Sequence, residues 1–266
     1  MKRINYISNG DGVALIELND PPANTYSYEM MQEIDAAILA ARMDRDAHVI
    51  VITGAGEKFF CAGANIGMLK GADPTFKYYF CLHANETMVR LEQTPKLVIA
   101  GLNGHTVGGG LEVAMAADLR IARQGAGKIG LPEVALGVLP GTGGTQRLAR
   151  LIGKARAIEL MASGALFSFE DARDLGLVNQ VWGDVELNGR SFRDALLDYA
   201  REFTPPNRAS KAVGHIKRAV HSGLESSLAE GLALERELQQ RLFESDDAHE
   251  GLAANLEKRK PQFSGS

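Results

Sequence analysis

Two short, unbroken apolar runs constrain this chain most: His48–Thr53 (His-Val-Ile-Val-Ile-Thr), closed by Gly54, and Leu97–Leu102, closed by Asn103-Gly104. A strand with one wet face alternates apolar and polar residues; a run without alternation suits a strand buried on both faces. Such strands belong to a parallel sheet covered by helices, and helical patterns do lie between them. Residues 27–43 carry Met30, Met31, Ile34, Ala37, Ile38 and Ala41 at helical spacing, and 75–93, 110–117, 143–151 and 153–162 read as further helices. Leu119–Ala122, Lys128–Gly130 and Leu177–Trp182 are shorter strand candidates. Residues 3–8 and 13–18 flank Asn-Gly-Asp-Gly at 9–12, a hairpin signal. Ser168-Phe-Glu-Asp171 has the spacing of a capping box opening a helix that stops at Gly176.

Strands alternating with helices over residues 45–185 predict an α/β fold with much of its sheet parallel. After Trp182 the strand signals cease. Residues 191–203, 207–222, 225–243 and 246–259 read as helices, broken at Pro205-Pro206, with an apolar stripe of Leu228, Leu232, Leu238 and Leu242. The expected organisation is an α/β core over 1–190 and a helical region over 191–266. An apolar fraction of 45% with 23% charged residues is that of a globular protein, and a formal charge of −4 with no basic block gives no reason to expect nucleic acid or an anionic membrane as partner. Two cysteines, Cys61 and Cys81, are too few for a disulfide framework, and no apolar stretch approaches the roughly 18 residues of a membrane span. A soluble, cytoplasmic protein is expected.

Chemistry concentrates around two glutamates. Glu112 ends Gly-His-Thr-Val-Gly-Gly-Gly-Leu-Glu (104–112), and Glu133 ends Gly-Leu-Pro-Glu (130–133). Carboxylates this close to consecutive glycines sit where backbone N–H groups approach a ligand with no Cβ in the way. Two in one site can divide acid and base work between them. The segment Lys58-Phe-Phe-Cys-Ala-Gly-Ala-Asn65 follows the first buried strand, as Gly108–Gly110 follows the second. Together they offer two N–H groups on neighbouring strand ends, which is what an oxyanion hole requires. The plainer readings are a helix N-terminal acid for Glu112, a surface charge for Glu133 and tight packing for Ala-Gly-Ala.

Other chemistries fit poorly. Gly108-Gly-Gly110 does not match the dinucleotide fingerprint, and Gly141-Thr-Gly-Gly-Thr-Gln-Arg147 lacks the Gly-Lys-Ser/Thr ending of a phosphate loop. No histidine has a second one at i+3 or i+4 for a metal, and a G-x-S-x-G nucleophile is absent. No metal and no separate cofactor are expected.

At these residues the chain resembles the crotonase family, the enoyl-CoA hydratase/isomerase superfamily. The resemblance runs from the strand at 13–18 to Glu257-Lys-Arg-Lys260. It rests on Phe60-Cys-Ala-Gly-Ala-Asn-Ile66, Asn103–Glu112, Gly130-Leu-Pro-Glu-Val-Ala-Leu-Gly137 and Pro140-Gly-Thr-Gly-Gly-Thr-Gln-Arg-Leu148. It implies the crotonase (ClpP-like) spiral of β-β-α repeats with a helical C-terminal region, assembled as trimers or as hexamers made of two trimers. It implies an acyl-CoA thioester whose carbonyl oxygen lies between the backbone N–H groups of Ala64 and Gly109. Lys58, Ala62, Ile66 and Lys258 match positions near CoA, and Met68, Leu69, Pro140 and Gly141 match the acyl pocket. Hydratases of the family keep acids at both glutamate positions, whereas many isomerases keep only the one matching Glu133. The reaction expected is therefore reversible addition of water across the Cα=Cβ bond of a trans-2-enoyl-CoA. A Δ3/Δ2-enoyl-CoA isomerase using Glu133, or a non-catalytic binding protein, are the alternatives. This chain departs from the family in having Asn65 where Asp is common, no aromatic near Asn255, and a slightly longer loop at Arg123–Lys128.

Overall fold

The computed structural model describes residues 2–266. Six strands form the main sheet: β1 (Ile4–Ser8), β2 (Gly12–Leu18), β3 (Ala47–Gly54), β5 (Leu97–Leu102), β7 (Leu119–Arg123) and β9 (Gln180–Trp182), in that spatial order. Only the β1–β2 hairpin is antiparallel. A second, parallel sheet holds β4 (Phe59–Cys61), β6 (His105–Val107) and β8 (Ile129–Gly130). The chain thus alternates between sheets, from β3 to β4, β5 to β6 and β7 to β8. This is the β-β-α spiral that the family resemblance implies.

The central strands bury both faces, as their unbroken apolar runs require. On one face Ala14, Ile16, Ile50, Ile52 and Ala100 meet α1 (Tyr28–Met43), α3 (Pro74–Glu92) and the small sheet. On the other, Val13, Leu15, Val49, Val51, Ile99 and Ile121 pack against Phe192, Ala195 and Leu196 of α9 (Phe192–Arg201). The two sets alternate along each strand because successive side chains point to opposite faces. After α9 in the chain come α10 (Ser210–Leu224), α11 (Leu228–Phe243) and α12 (Asp246–Glu257). Of the leucine stripe on α11 only Leu238 is buried; Leu228 and Leu232 are exposed. No helix among the described residues is long and apolar enough to cross a membrane.

Several short elements escape the sequence pattern. Strands β4 and β6 have three residues each, too few to display a period, whereas β8 falls within the strand expected at Lys128–Gly130. The short helix α2 (Ile66–Lys70) is opened by Asn65, whose Oδ1 accepts from Met68 N at 3.0 Å. An aspartate would cap it equally well, which explains why Asn65 is tolerated there. The capping box at Ser168 is present and opens α7 (Phe169–Asp174).

Candidate active site

Two loops of the small sheet bring Ala64 and Gly109 side by side. A Cβ placed on Gly63 would lie 2.9 Å from the Gly109 nitrogen. Tyr26 pins the first loop by pairing alongside Ala64: Tyr26 N donates to Gly63 O at 3.0 Å, and Asn65 N to Tyr26 O at 2.9 Å. Two buried asparagines stitch the turn between β3 and β4 beneath it. Asn24 Nδ2 donates to Ala55 O and Phe59 O (3.1 and 3.0 Å); Asn103 accepts from Gly54 N at 3.0 Å and donates to Gly56 O at 2.8 Å. On the second loop, Gly108 has φ 57, ψ −131, a conformation that costs glycine least, and it turns the chain from β6 into α4 (Gly109–Met115). Gly109 then stands at the helix N-terminus, where a backbone N–H has no intrahelical acceptor. Among the described residues no hydrogen bond takes up the N–H of Ala64 or Gly109. Two free, adjacent donors of this kind can stabilise one oxyanion.

Glu112 lies one turn along α4 and is only 2% exposed. Its Oε1 accepts from the backbone N–H of Thr142 (2.8 Å) and Gly144 (2.7 Å), and its Oε2 accepts from the Thr142 hydroxyl. Three donors converging on one carboxyl group suit the ionised form, which only accepts. The donating loop is itself held. Arg147, on α5 (Gly144–Ile152), donates to Thr142 O at 3.1 Å and forms a two-pronged pair with Glu92 at the end of α3, at 2.6 and 2.7 Å.

Glu133 opens a 3-10 turn (Glu133–Leu136) and is half-buried. Its Oε1 lies 2.9 Å from where a Cβ on Gly108 would stand, so it flanks the same glycine turn. Its Oε2 is buried without a hydrogen-bond partner. Burial pushes the carboxyl up to about 7; the residue's own backbone N–H opposes the rise, the nearby Glu112 charge adds to it and Lys77 opposes it. One carboxylate is therefore clamped by donors and the other left nearly bare. Paired groups with contrasting surroundings are the usual basis for separating a base from an acid.

The remaining sequence candidates lie at differing distances from this centre. Pro140 is buried against Gly144 beside Glu112, and Gly141 faces Cys81. Met68 and Leu69 are half-buried on α2, with the Met68 sulfur 3.3 Å from Tyr28 N. Ala62 donates its N–H to Ala23 O, while Lys58 and Ile66 are exposed. Lys258 is the exposed, left-handed C-cap of α12. Of the aromatics between Ile66 and Met88, Phe80 is core, Phe76 is half-buried, and Tyr78 and Tyr79 point outward. Sequence reasoning missed Tyr26, Thr142, Arg147 and Glu92. Only the position of Thr142 among glycines hints at its role.

Replacing Gly109 is less forgiving than backbone chemistry alone predicts. A proline would remove the N–H. An alanine keeps it, but its Cβ would stand 2.1 Å from the Tyr26 hydroxyl and 2.7 Å from its ring carbon Cζ, both buried. Gly109→Ala is therefore expected to lose stability by about 1–3 kcal/mol, the usual cost of overpacking. Urea unfolding checks this; an unchanged midpoint would mean that the loop yields freely.

The sequence pattern of the enoyl-CoA hydratase/isomerase family matches residues 8–266. A protein of Bacillus subtilis (strain 168) described as a probable enoyl-CoA hydratase is 39% identical over 256 residues, 95% of each chain. A short-chain-enoyl-CoA hydratase of Clostridium acetobutylicum is 36% identical over 264 residues, covering 98% of this chain and 97% of the other. The crystal structure of an enoyl-CoA hydratase from Geobacillus kaustophilus HTA426 superposes with a TM-score of 0.94 at 45% identity, over 100% of this chain and 98% of that one. With sequence and fold agreeing over nearly the whole length, this chain belongs to the enoyl-CoA hydratase/isomerase family.

Proposed function

We propose that the protein is an enoyl-CoA hydratase, adding water reversibly across the Cα=Cβ bond of a trans-2-enoyl-CoA. The observation that carries this reading is the contrast between the two carboxyl groups: Glu112 held by three donors, Glu133 raised to about 7 and without a partner on Oε2. The thioester oxygen takes the two N–H groups of Ala64 and Gly109, drawing electrons from Cβ toward the carbonyl. Glu112 accepts a proton from a water molecule while the water oxygen bonds to Cβ. The displaced electron pair forms the enolate, and Glu133 delivers its proton to Cα. No net proton is gained or lost. Dehydration runs the same steps backward, with both carboxyl groups exchanging roles.

In this reading Lys58, Ala62, Ile66 and Lys258 lie along the CoA moiety, and Met68, Leu69, Pro140 and Gly141 bound the acyl group. Purified protein with crotonyl-CoA tests the assignment, since hydration removes the conjugated thioester absorbance. Glu112→Gln and Glu133→Gln are each expected to lower kcat by at least ~10²-fold, the scale of general acid–base terms. Lys58→Ala and Lys258→Ala are expected to raise KM with little change in kcat, as lost uniform binding does. If Glu112→Gln kept most of the rate, the two-carboxylate mechanism would be wrong; if the parent protein left the absorbance unchanged, an isomerase using Glu133 would be favoured.

The helical region over 191–266 serves assembly in this account. Leu228 on α11 and Leu256 on α12 are 78% and 83% exposed, and Leu136 and Leu139, just after Glu133, are 58% and 66% exposed. In this reading these leucines belong to association surfaces, which contiguous exposed apolar patches mark. A trimer, or two trimers joined as a hexamer, would bury them. Native mass spectrometry is expected to find such an oligomer; a stable monomer would remove this part of the proposal.

A further inference from the structure

The Tyr26 side chain has no place in the hydration steps, yet it touches both halves of the site. It is 2% exposed, its ring stacks on Phe80 with centroids 5.9 Å apart, and its hydroxyl lies 3.2 Å from Thr142 Oγ1. No other hydrogen-bond partner for that hydroxyl is present among the described residues. The direction of the bond follows from the neighbouring one. Thr142 has a single hydroxyl proton, and an ionised Glu112 has none to offer. That proton is therefore committed to Glu112 Oε2, and the Thr142 oxygen accepts from Tyr26. Burial, with the Glu112 charge adding to it, pushes the Tyr26 phenol well above its ordinary value, so it remains a donor throughout the working pH range.

We propose that Tyr26 is a positioning residue for hydration: by donating to Thr142 it fixes the Thr142 hydroxyl on Glu112 and so holds the water-activating carboxylate in register with the oxyanion hole. Register is the second half of the inference. The backbone of Tyr26 pairs alongside Ala64, and its hydroxyl fills the space that a side chain on Gly109 would need. One residue thus ties both oxyanion donors to Glu112 through a chain of two hydrogen bonds. Without its hydroxyl, Thr142 is free to turn its proton away from Glu112, and the carboxylate loses the one donor that is not backbone. This inference rests on the hydratase reading, in which Glu112 activates water.

Tyr26→Phe keeps the ring and its stacking and deletes only the donor. With crotonyl-CoA it is expected to lower kcat about 5- to 20-fold, the scale of one hydrogen bond supporting a charged group, with KM within about 2-fold. The effect is expected to depend on Thr142. In a Thr142→Val background, adding Tyr26→Phe changes kcat by less than about 2-fold, while in a Thr142→Ser background the full loss returns. Circular dichroism confirms folding, and Thr142→Ala replaces the valine variant if that one does not fold. Unaltered kcat in Tyr26→Phe, or an equal loss in all backgrounds, would overturn the proposal, because ring packing alone does not depend on the Thr142 hydroxyl. Glu112→Gln assayed in parallel separates the two levels. If the parent does not hydrate crotonyl-CoA, the hydratase reading and this relay fall together; if Glu112→Gln turns over like the parent, the assignment of Glu112 as water activator falls and the relay with it. If it loses its rate while Tyr26→Phe does not, only the relay falls.

Discussion

The structure turns on one buried carboxylate. An isolated charge taken from water into a protein interior costs several kcal/mol, so Glu112 can be buried only because donors meet it. Those donors come from a loop that follows it by 30 residues or more, so the fold must deliver Thr142 and Gly144 to α4 accurately. Arg147 and Glu92, each with only 14% of the side chain exposed, lock the loop to α3. Glycine at 144 leaves room for the carboxylate: a Cβ there would lie 2.9 Å from Glu112 Oε1. Helices α3, α4 and α5 are all committed to this one interaction.

The spiral supplies the other half. Because the chain steps from the large sheet to the small one after β3 and again after β5, the ends of β4 and β6 become neighbours, although Cys61 and Val107 are far apart in sequence. The segments following those ends carry Ala64 and Gly109. Asn24 and Asn103 satisfy the carbonyls of the irregular turn beneath, which would otherwise be buried without partners. Against this well-satisfied background, the bare Oε2 of Glu133 stands out. Unpaired, desolvated titratable groups cluster where chemistry is done, and here the rest of the framework tolerates the cost.

Much of this is legible in the residues, for identifiable reasons. The unbroken runs at 48–53 and 97–102 identify β3 and β5 because double burial leaves no polar alternation, and the apolar spacing of Met30 to Ala41 identifies α1 in the same way. Glu112 and Glu133 attract notice through the glycines beside them, because close backbone approach demands small residues in the chain itself. The clamp is different. Nothing about Thr142 or Arg147 in sequence says that they serve a glutamate 30 residues earlier, and Tyr26 reads as an ordinary apolar residue preceding the helix cap Ser27. Strands β4 and β6 of the small sheet are too short to carry a period. Local physics writes itself into local sequence; the contacts that complete the site arise only when the spiral closes.

The central claim is that the fold gives its two glutamates opposite surroundings, so that one holds a proton near neutrality. Carbon-13 NMR of the side-chain carboxyl of Glu133, assigned by comparison with Glu133→Gln and titrated without substrate, measures this directly. The account predicts a midpoint at about 7, set chiefly by burial, with the residue's own backbone N–H opposing the rise and the Glu112 charge adding to it. A midpoint near the ordinary glutamate value of about 4.3 would contradict it.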